Sequence, residues 1–321
     1  MIINPFIFGS AVETEFKITV ITTKAGSAPD TFVLPLQVGA TSMTVYWGDG
    51  NSDVITAYNQ AELTHVYASS GTYQISLDGS FYGIRFANGG DCLKLASIDN
   101  WGTNQWGTMN FAFGGCTNMI GTYTDSPDLS LTLNLGWIFY RCSSFNSDVS
   151  WNTSNVTSMY GMFNYCSLFN QSVSSFDTSN VVDMTVMFFG AYAFNQSVSN
   201  FNTSNVGGMA SMFRASSFNQ PISNFDTSNV VSMGYMFFQN SSFNQDISSW
   251  DITSLTSASI MLYGTAFSKT NYDLLLPAWD AYGTSGITFH AGNAHYSAGA
   301  PTIAHDAMVS RGWTITDGGT P

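Results

Sequence analysis

Few residues of this chain have the spacing that a metal site or a catalytic site requires. His290, His295 and His305, with Asp306 beside the last, form the densest group of metal-ligating side chains. Their spacings of five and ten residues do not place two histidines one turn apart on a helix, as a zinc-binding helix would. We therefore expect packing and surface roles for these histidines.

Asp49, Asn51 and Asp53 have the spacing of the first ligands of a calcium-binding loop. Such a loop needs Gly at its sixth position and Glu at its twelfth, where this chain has Val54 and Gln60. We interpret the segment as a structural turn. Glycan hydrolysis would need paired carboxylic acids in a cleft, and the repeat coils supply only isolated Asp residues. The sequence thus predicts a non-enzymatic protein without metal or cofactor.

The four cysteines do not have the C-x-x-C spacing of zinc or redox sites. Cys92, Cys116, Cys142 and Cys166 instead follow one another at intervals of 24, 26 and 24 residues. The last three belong to one column of a repeat described below, where later coils carry other small residues. Free, half-buried thiols are the expected state, and a disulfide between neighbouring coils stays open.

Charge is scarce and mostly negative. Only 9% of the residues are charged, against roughly 25% in typical soluble domains, and the net charge is −13. Eight scattered basic residues cannot neutralise a row of phosphates, so we predict that the protein does not bind nucleic acid. No apolar run approaches the ~18 residues of a membrane span, and the apolar start lacks the basic region of a secretory signal.

Large apolar side chains recur about every 25 residues, which is the range of solenoid repeats. Stacking of such coils would merge the recurring side chains into one continuous core. The anchor column contains Phe113, Phe139, Phe163, Phe188, Phe213, Phe237 and Leu262. The column twelve residues earlier contains Trp101, Pro127, Trp151, Phe176, Phe201, Phe225 and Trp250. The column five or six residues later contains Met119, Phe145, Phe169, Phe194, Phe218, Phe243 and Phe267.

Each coil is predicted to contain a short strand, a turn and a short helix. In the coil of residues 169–188, Val173 and Phe176 flank the expected strand, and 177–180 (Asp-Thr-Ser-Asn) is the expected turn. Met184, Met187 and Phe188 have the i, i+3, i+4 spacing of one helical face. The recurring Met residues are interpreted as core filler beside the rings rather than as a metal or cofactor site.

Two polar columns admit a functional interpretation. Asn155, Asn180, Asn205 and Asn229 are interpreted as an internal hydrogen-bonding ladder, with sugar or peptide binding as the alternative. A flat array of threonines would suit an ice lattice, and the candidate array contains Thr153, Thr178, Thr203, Thr227 and Thr253. Because each Thr lies in a turn sequence, ice binding is only a remote alternative.

The segments on either side of the repeat have different patterns. Residues 12–88 alternate apolar and polar side chains in several runs separated by Gly and Asp, which predicts a small antiparallel β-sandwich. After Phe267, two helices and two strands should cover the last coil, with Pro277 expected to kink or split the first helix. The predicted division is 1–11 as an N-terminal anchor, 12–88 as the sandwich, 89–267 as the solenoid and 268–321 as an α/β cap.

Two motifs carry a resemblance to known families. Trp47-Gly-Asp-Gly50, followed by a His-Val-Tyr motif around His65, resembles the polycystic-kidney-disease-type (PKD-like) immunoglobulin-like domain. The coil motif, well seen over 194–213 and 218–237, is similar to that of BspA-like leucine-rich-repeat surface proteins. This implies a mixed β/α leucine-rich-repeat-like solenoid of about seven coils, and adhesion by protein binding without catalytic residues. The opening 4–9 (Asn-Pro-Phe-Ile-Phe-Gly) resembles the start of some tailed-phage fibre proteins.

The leading functional hypothesis is a virion surface protein, such as a tail fibre, appendage or decoration, that binds a host receptor or another virion protein. The receptor would be a protein or a glycan, and a homo-oligomer stays open. The alternative is a BspA-like adhesin on a bacterial cell surface or in the extracellular space. Aromatic side chains outside the three core columns, namely Tyr160, Tyr192 and Tyr235, are the candidate binding residues.

Overall fold

A computed structural model describes residues 13–320 of the chain. The predicted anchor segment 1–11 and the phage-like opening therefore lie outside the described residues. The N-terminal part contains a six-stranded sheet with the order β4-β3-β6-β1-β7-β8 and a separate pair β2-β5. These strands are β1 (Phe16–Ile21), β2 (Thr31–Val33), β3 (Thr41–Tyr46), β4 (Ser52–Ile55), β5 (Thr64–Val66), β6 (Thr72–Phe81), β7 (Leu95–Asn100) and β8 (Ile120–Gly121). Two 3-10 turns cover Ala61–Leu63 and Cys92–Lys94.

The large sheet continues from the predicted sandwich into the first coils. Strand β1 alternates buried and half-buried residues, so Phe16, Ile18 and Val20 point into the core. On one side β1 pairs antiparallel with β6, and on the other side it pairs with β7. Strand β7 then pairs in parallel with β8, where each residue lies beside one that is 23 residues further along the chain, as Ser97 lies beside Ile120. The predicted boundary at residue 88 thus lies between strands of one sheet.

The three ring columns stack from coil to coil as the period predicted. All 21 positions of these columns, Pro127 included, are buried. The centroids of the anchor rings Phe163, Phe188 and Phe213 follow one another at 5.6 Å, with the ring planes nearly parallel. Each of these rings also stacks at 3.9 Å on the third-column ring of its own coil. The coils therefore share one elongated core.

The predicted helix in each coil is wrong. Met184, Val186 and Phe188 each donate their N–H to a carbonyl of the next coil at 2.9 Å. Of the intervening amides, Met187 donates three residues back to the carbonyl of Met184 at 3.2 Å, and Thr185 donates to the side chain of Asp183 at 2.9 Å. Val186 has a φ of 51°, which interrupts a right-handed helix. The i, i+3, i+4 spacing therefore reflects a chain of tight turns whose alternate amides bond along the stacking axis.

The predicted strand between Val173 and Phe176 is also wrong. Phe176 donates its N–H to the carbonyl of Val173 at 3.1 Å, so this segment is a turn that points both side chains into the core. Parallel pairing occurs instead five residues before each anchor ring. This row of single bridges contains Asn134, Ser158, Asp183, Gly208, Ser232 and Ser257.

The C-terminal cap continues the row of bridges with regular elements. Strands β9 (Ser257–Ala258), β10 (Thr288–His290) and β11 (Thr314–Thr316) form a parallel sheet with β10 in the middle. Helix α1 (Lys269–Asp280) and helix α2 (Ala300–Ser310) pack beside it.

Helix α1 runs through Pro277 without a break, so the predicted split does not occur, and the predicted kink stays a prediction. Tyr272, Leu275, Leu276 and Trp279 are all buried on its inner face. Their packing outweighs the one helical hydrogen bond that proline cannot donate. The assignment of the whole stack to the leucine-rich-repeat-like solenoids, and of the front piece to the immunoglobulin-like sandwiches, stays a prediction.

Candidate functional site

The residues with metal-like spacing take part in local structure. Asp49 accepts hydrogen bonds from the Asn51 N–H at 3.0 Å and lies 2.9 Å from His65 Nε2. Asp53 accepts from the indole Nε1 of Trp47 at 2.8 Å, and the ring of Trp47 stacks on His65 at 4.7 Å. These contacts agree with the predicted structural turn. They also bring the two halves of the PKD-like motif together.

The cap histidines have separate surroundings. His290 Nδ1 accepts from the Gly292 N–H at 3.0 Å, and burial lowers the pKa of His290. His305 stacks on Tyr296 at 4.8 Å and lies 3.5 Å from a carboxylate oxygen of Asp317. Within residues 13–320, no group of three His, Cys, Asp or Glu side chains could hold a metal ion.

The cysteines form the predicted column of small residues. Cys116, Cys142 and Cys166 are fully buried free thiols, and Cys92 is a buried free thiol beside them. The Cys142 thiol donates to the carbonyl of Phe113 at 3.0 Å, and the Cys166 thiol donates to the carbonyl of Phe139 at 2.9 Å. Burial raises the pKa of all three column thiols.

Side-chain amides connect the coils in two rows. The predicted row donates Nδ2 to backbone carbonyls of the preceding coil at 2.7–2.9 Å; it contains Asn155, Asn180, Asn205 and Asn229. These bonds confirm the hydrogen-bonding ladder, but the four side chains are exposed rather than internal. A second row, which the sequence analysis missed, accepts a backbone N–H of the next coil at 2.9 Å; it contains Asn146, Asn170, Asn195, Asn219 and Asn244. The signal for this second row was the Asn that follows each third-column Phe.

The threonine column cannot form the array that ice binding requires. Thr153, Thr178, Thr203 and Thr227 are at most 2% exposed. Their hydroxyls donate to a carbonyl of the next coil at 2.8–2.9 Å. Because a lattice must contact hydroxyls at the surface, the structure contradicts the basis of the ice-binding alternative.

The turn segments build a continuous aromatic surface on one side of the stack. Around each buried anchor ring, the side chains that reach the surface lie mainly two or three residues before it and one or two residues after it. Neighbouring coils place large rings at these positions. We name this surface the aromatic–arginine face; it consists of Arg85, Phe111, Trp137, Tyr140, Arg141, Tyr160, Tyr165, Phe189, Arg214, Tyr235, Phe238 and Tyr263.

The rings of this face contact one another across coils. Trp137 stacks on Phe111 at 5.7 Å and contacts Tyr160 at 5.0 Å. Further along the stack, Phe238 contacts both Tyr235 and Tyr263 at 5.6 Å. Every ring of the face except that of Tyr263 is half-buried, and Tyr263 is exposed. Each ring therefore offers part of its surface to a partner while its neighbours hold its orientation.

Three of the four arginines of the chain lie on this face. Arg85 covers the ring of Phe111 at 5.3 Å, and Arg141 covers Tyr140 at 5.2 Å. Arg214 lies among three rings, those of Phe189, Tyr235 and Phe238, at 4.6–5.2 Å. The face is thus locally cationic in a chain of net charge −13, and the rings hold its guanidinium groups by cation–π attraction.

Two glycines make room for rings of the preceding coil. A Cβ on Gly161 would lie 2.6 Å from a ring carbon of Trp137, and a Cβ on Gly190 would lie 2.7 Å from a ring carbon of Tyr165. Both glycines also have a positive φ, of 61° and 70°. A side chain at either position would displace the ring that now lies there.

The structure places two of the three predicted binding tyrosines on this face. Tyr160 contacts Trp137, and Tyr235 contacts Arg214. Tyr192 is 54% exposed, lies four residues after its anchor ring and contacts no other ring within the described part of the chain. The arginines were not among the predicted binding residues; their recurrence one or two residues after an anchor ring, at Arg141 and Arg214, was the available signal.

Comparison with known proteins gives one family. A family model described as "Mycoplasma protein of unknown function, DUF285" matches residues 107–217 and 198–285. The two overlapping matches run from residue 107 to residue 285, which is more than half of the 321 residues. They contain the whole aromatic–arginine face apart from Arg85. No curated protein and no solved structure matches the chain.

No helix within residues 13–320 is both long and apolar enough to span a membrane.

Proposed function

This chain belongs to the DUF285 family, and from that premise we propose that it is a non-enzymatic surface protein that binds a protein partner through its aromatic–arginine face. The observation that carries the proposal is the position of Arg85, Arg141 and Arg214 among half-buried rings. Arg, Trp and Tyr are the residues that dominate binding energy at protein interfaces. Here they come from consecutive coils and cover one side of the stack.

The chemistry of the face favours a partner with carboxylate groups. A guanidinium offers several N–H donors in one plane and binds a carboxylate by paired hydrogen bonds. Elsewhere the chain is acidic, which repels an acidic partner from the remaining surface. A protein that presents acidic side chains among apolar ones therefore fits this face.

The sequence offers two hypotheses for the particle or cell that displays this protein. A virion surface protein, such as a fibre or decoration, is the first. The alternative, a BspA-like adhesin on a bacterial cell, gains support from the family description, which names a cellular source, Mycoplasma. Mass spectrometry of purified particles and of the cell-envelope fraction distinguishes the two, because the protein should be enriched in only one of them.

The PKD-like assignment of the front piece is part of the same proposal. Tyr67 donates its hydroxyl to the carbonyl of Trp47 at 3.1 Å and stacks on Tyr73 at 3.7 Å. The motif residues thus form one structural cluster. This favours a structural role for the front piece rather than a second binding site.

The binding proposal is tested with Arg214→Ala in the full chain. We expect this variant to bind the partner-bearing cells or particles at least tenfold more weakly, because a truncated hot-spot arginine typically costs about 2 kcal/mol or more. Binding of labelled protein is measured by flow cytometry before and after protease treatment of the target surface. A protein receptor requires that this treatment abolishes binding.

Lys24→Ala is the matched control, since Lys24 is exposed and lies on the N-terminal part away from the repeat turns. It removes the same charge and should leave binding unchanged. Equal binding by Arg214→Ala and the wild type would contradict the role of the face.

A further inference from the structure

A cavity of about 580 Å³ lies where strand β6 meets the first coils, remote in sequence from most of the aromatic–arginine face. Its volume is within the ~300–1,000 Å³ range of small-ligand pockets. Its lining includes Ser80, Tyr82, Asn104, Gln105, Asp128 and Leu131. A second cavity of about 140 Å³ shares Asp128 and continues over the next coil toward Asn152 and Asn155.

Asn104 has an unused pair of donors at this cavity. The residue is 5% exposed, and its Oδ1 accepts the N–H of Phe81 at 3.0 Å. Its Nδ2 is buried and has no acceptor among residues 13–320. Because a buried donor without an acceptor costs about 1–3 kcal/mol, an acceptor supplied by a ligand would be favourable here.

Asp128 also lines this cavity and supplies an acceptor. One of its oxygens accepts the Ser130 N–H at 2.9 Å. The Ser130 hydroxyl and N–H hold the pKa of Asp128 below its usual value. Asp128 is therefore ionised at neutral pH and can only accept hydrogen bonds. Gln105 lies beside it and donates to the Ser130 hydroxyl at 3.4 Å.

We propose that this cavity binds a neutral saccharide. A ligand here must donate to Asp128 and accept from a side-chain amide, that of Gln105 or of Asn104, and a sugar hydroxyl does both. The carboxylate of Asp128 and the net charge of −13 disfavour anionic ligands. Tyr82 and Leu131, which are 41% and 57% exposed, supply apolar surface for the C–H face of a pyranose ring.

The test is calorimetric titration of the full chain with methyl glucoside, methyl galactoside, methyl mannoside, N-acetylglucosamine and their disaccharides. We expect at least one of these neutral probes to bind. N-acetylneuraminic acid should bind at least tenfold more weakly than that probe. Asp128→Asn, which keeps an oxygen for the Ser130 N–H, should weaken the neutral probe at least tenfold.

Asp148→Asn is the matched control, because Asp148 has the same local role: its oxygens accept the N–H and hydroxyl of Ser150. It does not line the cavity and should leave saccharide binding unchanged. If Asp128→Asn loses its native near-ultraviolet circular dichroism, Gln105→Ala replaces it, since Gln105 is exposed; it should weaken binding at least threefold.

Three results would overturn the proposal: no neutral probe binds, the cavity variants bind as the wild type does, or a blocked tripeptide binds in place of the sugars. The measurement is independent of the proposed function, because Arg214→Ala should leave saccharide binding unchanged while it removes partner binding.

Discussion

A residue in a coil is buried or exposed according to its distance from the anchor ring, and its chemistry follows from that position. Three residues after the ring the side chain is enclosed, so Cys116, Cys142 and Cys166 are apolar filler rather than reactive groups. One residue after the ring, Arg214 reaches the surface and contacts three rings. An arginine two positions further along the coil would lie at the enclosed position of the cysteines and would have a different function.

We predict that the native thiols do not react with Ellman's reagent at pH 8 on a timescale of minutes. Burial raises the pKa of Cys92, Cys116 and Cys142, so the thiolate is scarce, and the reagent cannot enter the core. In 6 M guanidinium chloride, which lies above the ~5 M midpoint that separates ordinary from hyperstable domains, four thiols per chain should react.

Two outcomes would contradict the prediction that the cysteines are buried, free thiols. Rapid reaction in the folded protein would show that the thiols are accessible. Only two reactive thiols after unfolding would show a disulfide between coils, which is the alternative that the sequence left open.

The backbone of each coil consists of hydrogen-bonded turns rather than of regular helices or strands. Its turns send alternate amides to the next coil, and Asn or Asp side chains close the bends. Asp177 and Asp226 each accept the N–H of the Ser two residues later at 3.0 Å. In the coil between them, Asn202 does the same for Ser204 at 3.1 Å. A neutral and a charged residue thus occupy one structural position.

This exchange predicts a change in acid stability. The Ser179 and Ser228 hydroxyls lower the pKa of Asp177 and Asp226 from the ordinary 3.8. Since the folded-state pKa is lowered, these carboxylates stabilise the fold above about pH 4, and that contribution is lost as the pH falls through their folded-state pKa. Asp177→Asn combined with Asp226→Asn should leave the urea midpoint at pH 7 nearly unchanged and reduce its fall toward pH 3.

The reverse substitution is the control. Asn202→Asp should make the fall of the urea midpoint between pH 5 and pH 3 steeper. If the double variant followed the wild-type pH profile, the bends would not be the origin of this part of the acid sensitivity.

The whole molecule is a stack with a different cover at each end. Strands β7 and β8 connect the first coils to the N-terminal sheet, and β10 pairs with β9 at the last coil. Leu262 donates its N–H to the carbonyl of His290 in the cap at 3.0 Å, where another coil would otherwise continue the stack. The covers satisfy amides that would pair with a second chain if exposed.

Removal of residues 268–321 should therefore produce self-association. The last coil would expose its edge and the buried side chains Met261 and Leu262. Size-exclusion chromatography with light scattering should show a larger mass per particle than for the full chain.

Deletion of 189–213 is the matched control, because it removes one full period between the equivalent rings Phe188 and Phe213 and keeps both covers. This shorter chain should keep the parent's oligomeric state and its circular dichroism. Self-association of both variants would indicate that any loss of residues destabilises the stack, rather than loss of the cap.

Spacing was sufficient to predict the core. Twenty side chains in three columns were placed inside by their period, because a stack of equal coils must return them to the same place. The same spacing was insufficient for the backbone. Met184, Met187 and Phe188 lie on one side of a helix and equally on one side of the observed turns, so side-chain periodicity cannot distinguish the two. The pairing of amides between coils decides it.

By itself, the sequence determined the period, the buried columns, the amide ladder and the structural roles of the candidate metal ligands. Only the tertiary structure decided where rare charges lie. Lys94 is fully buried, and its Nζ donates to the carbonyls of Ser27, Ala28 and Thr31 at 2.7–3.0 Å. Arg85 and Arg214 lie 129 residues apart in the chain and on the same face. The period of the sequence determines whether a side chain points into or out of its own coil. Hydrogen bonds and cation–π contacts depend instead on which groups, distant in the chain, the fold brings within a few ångströms.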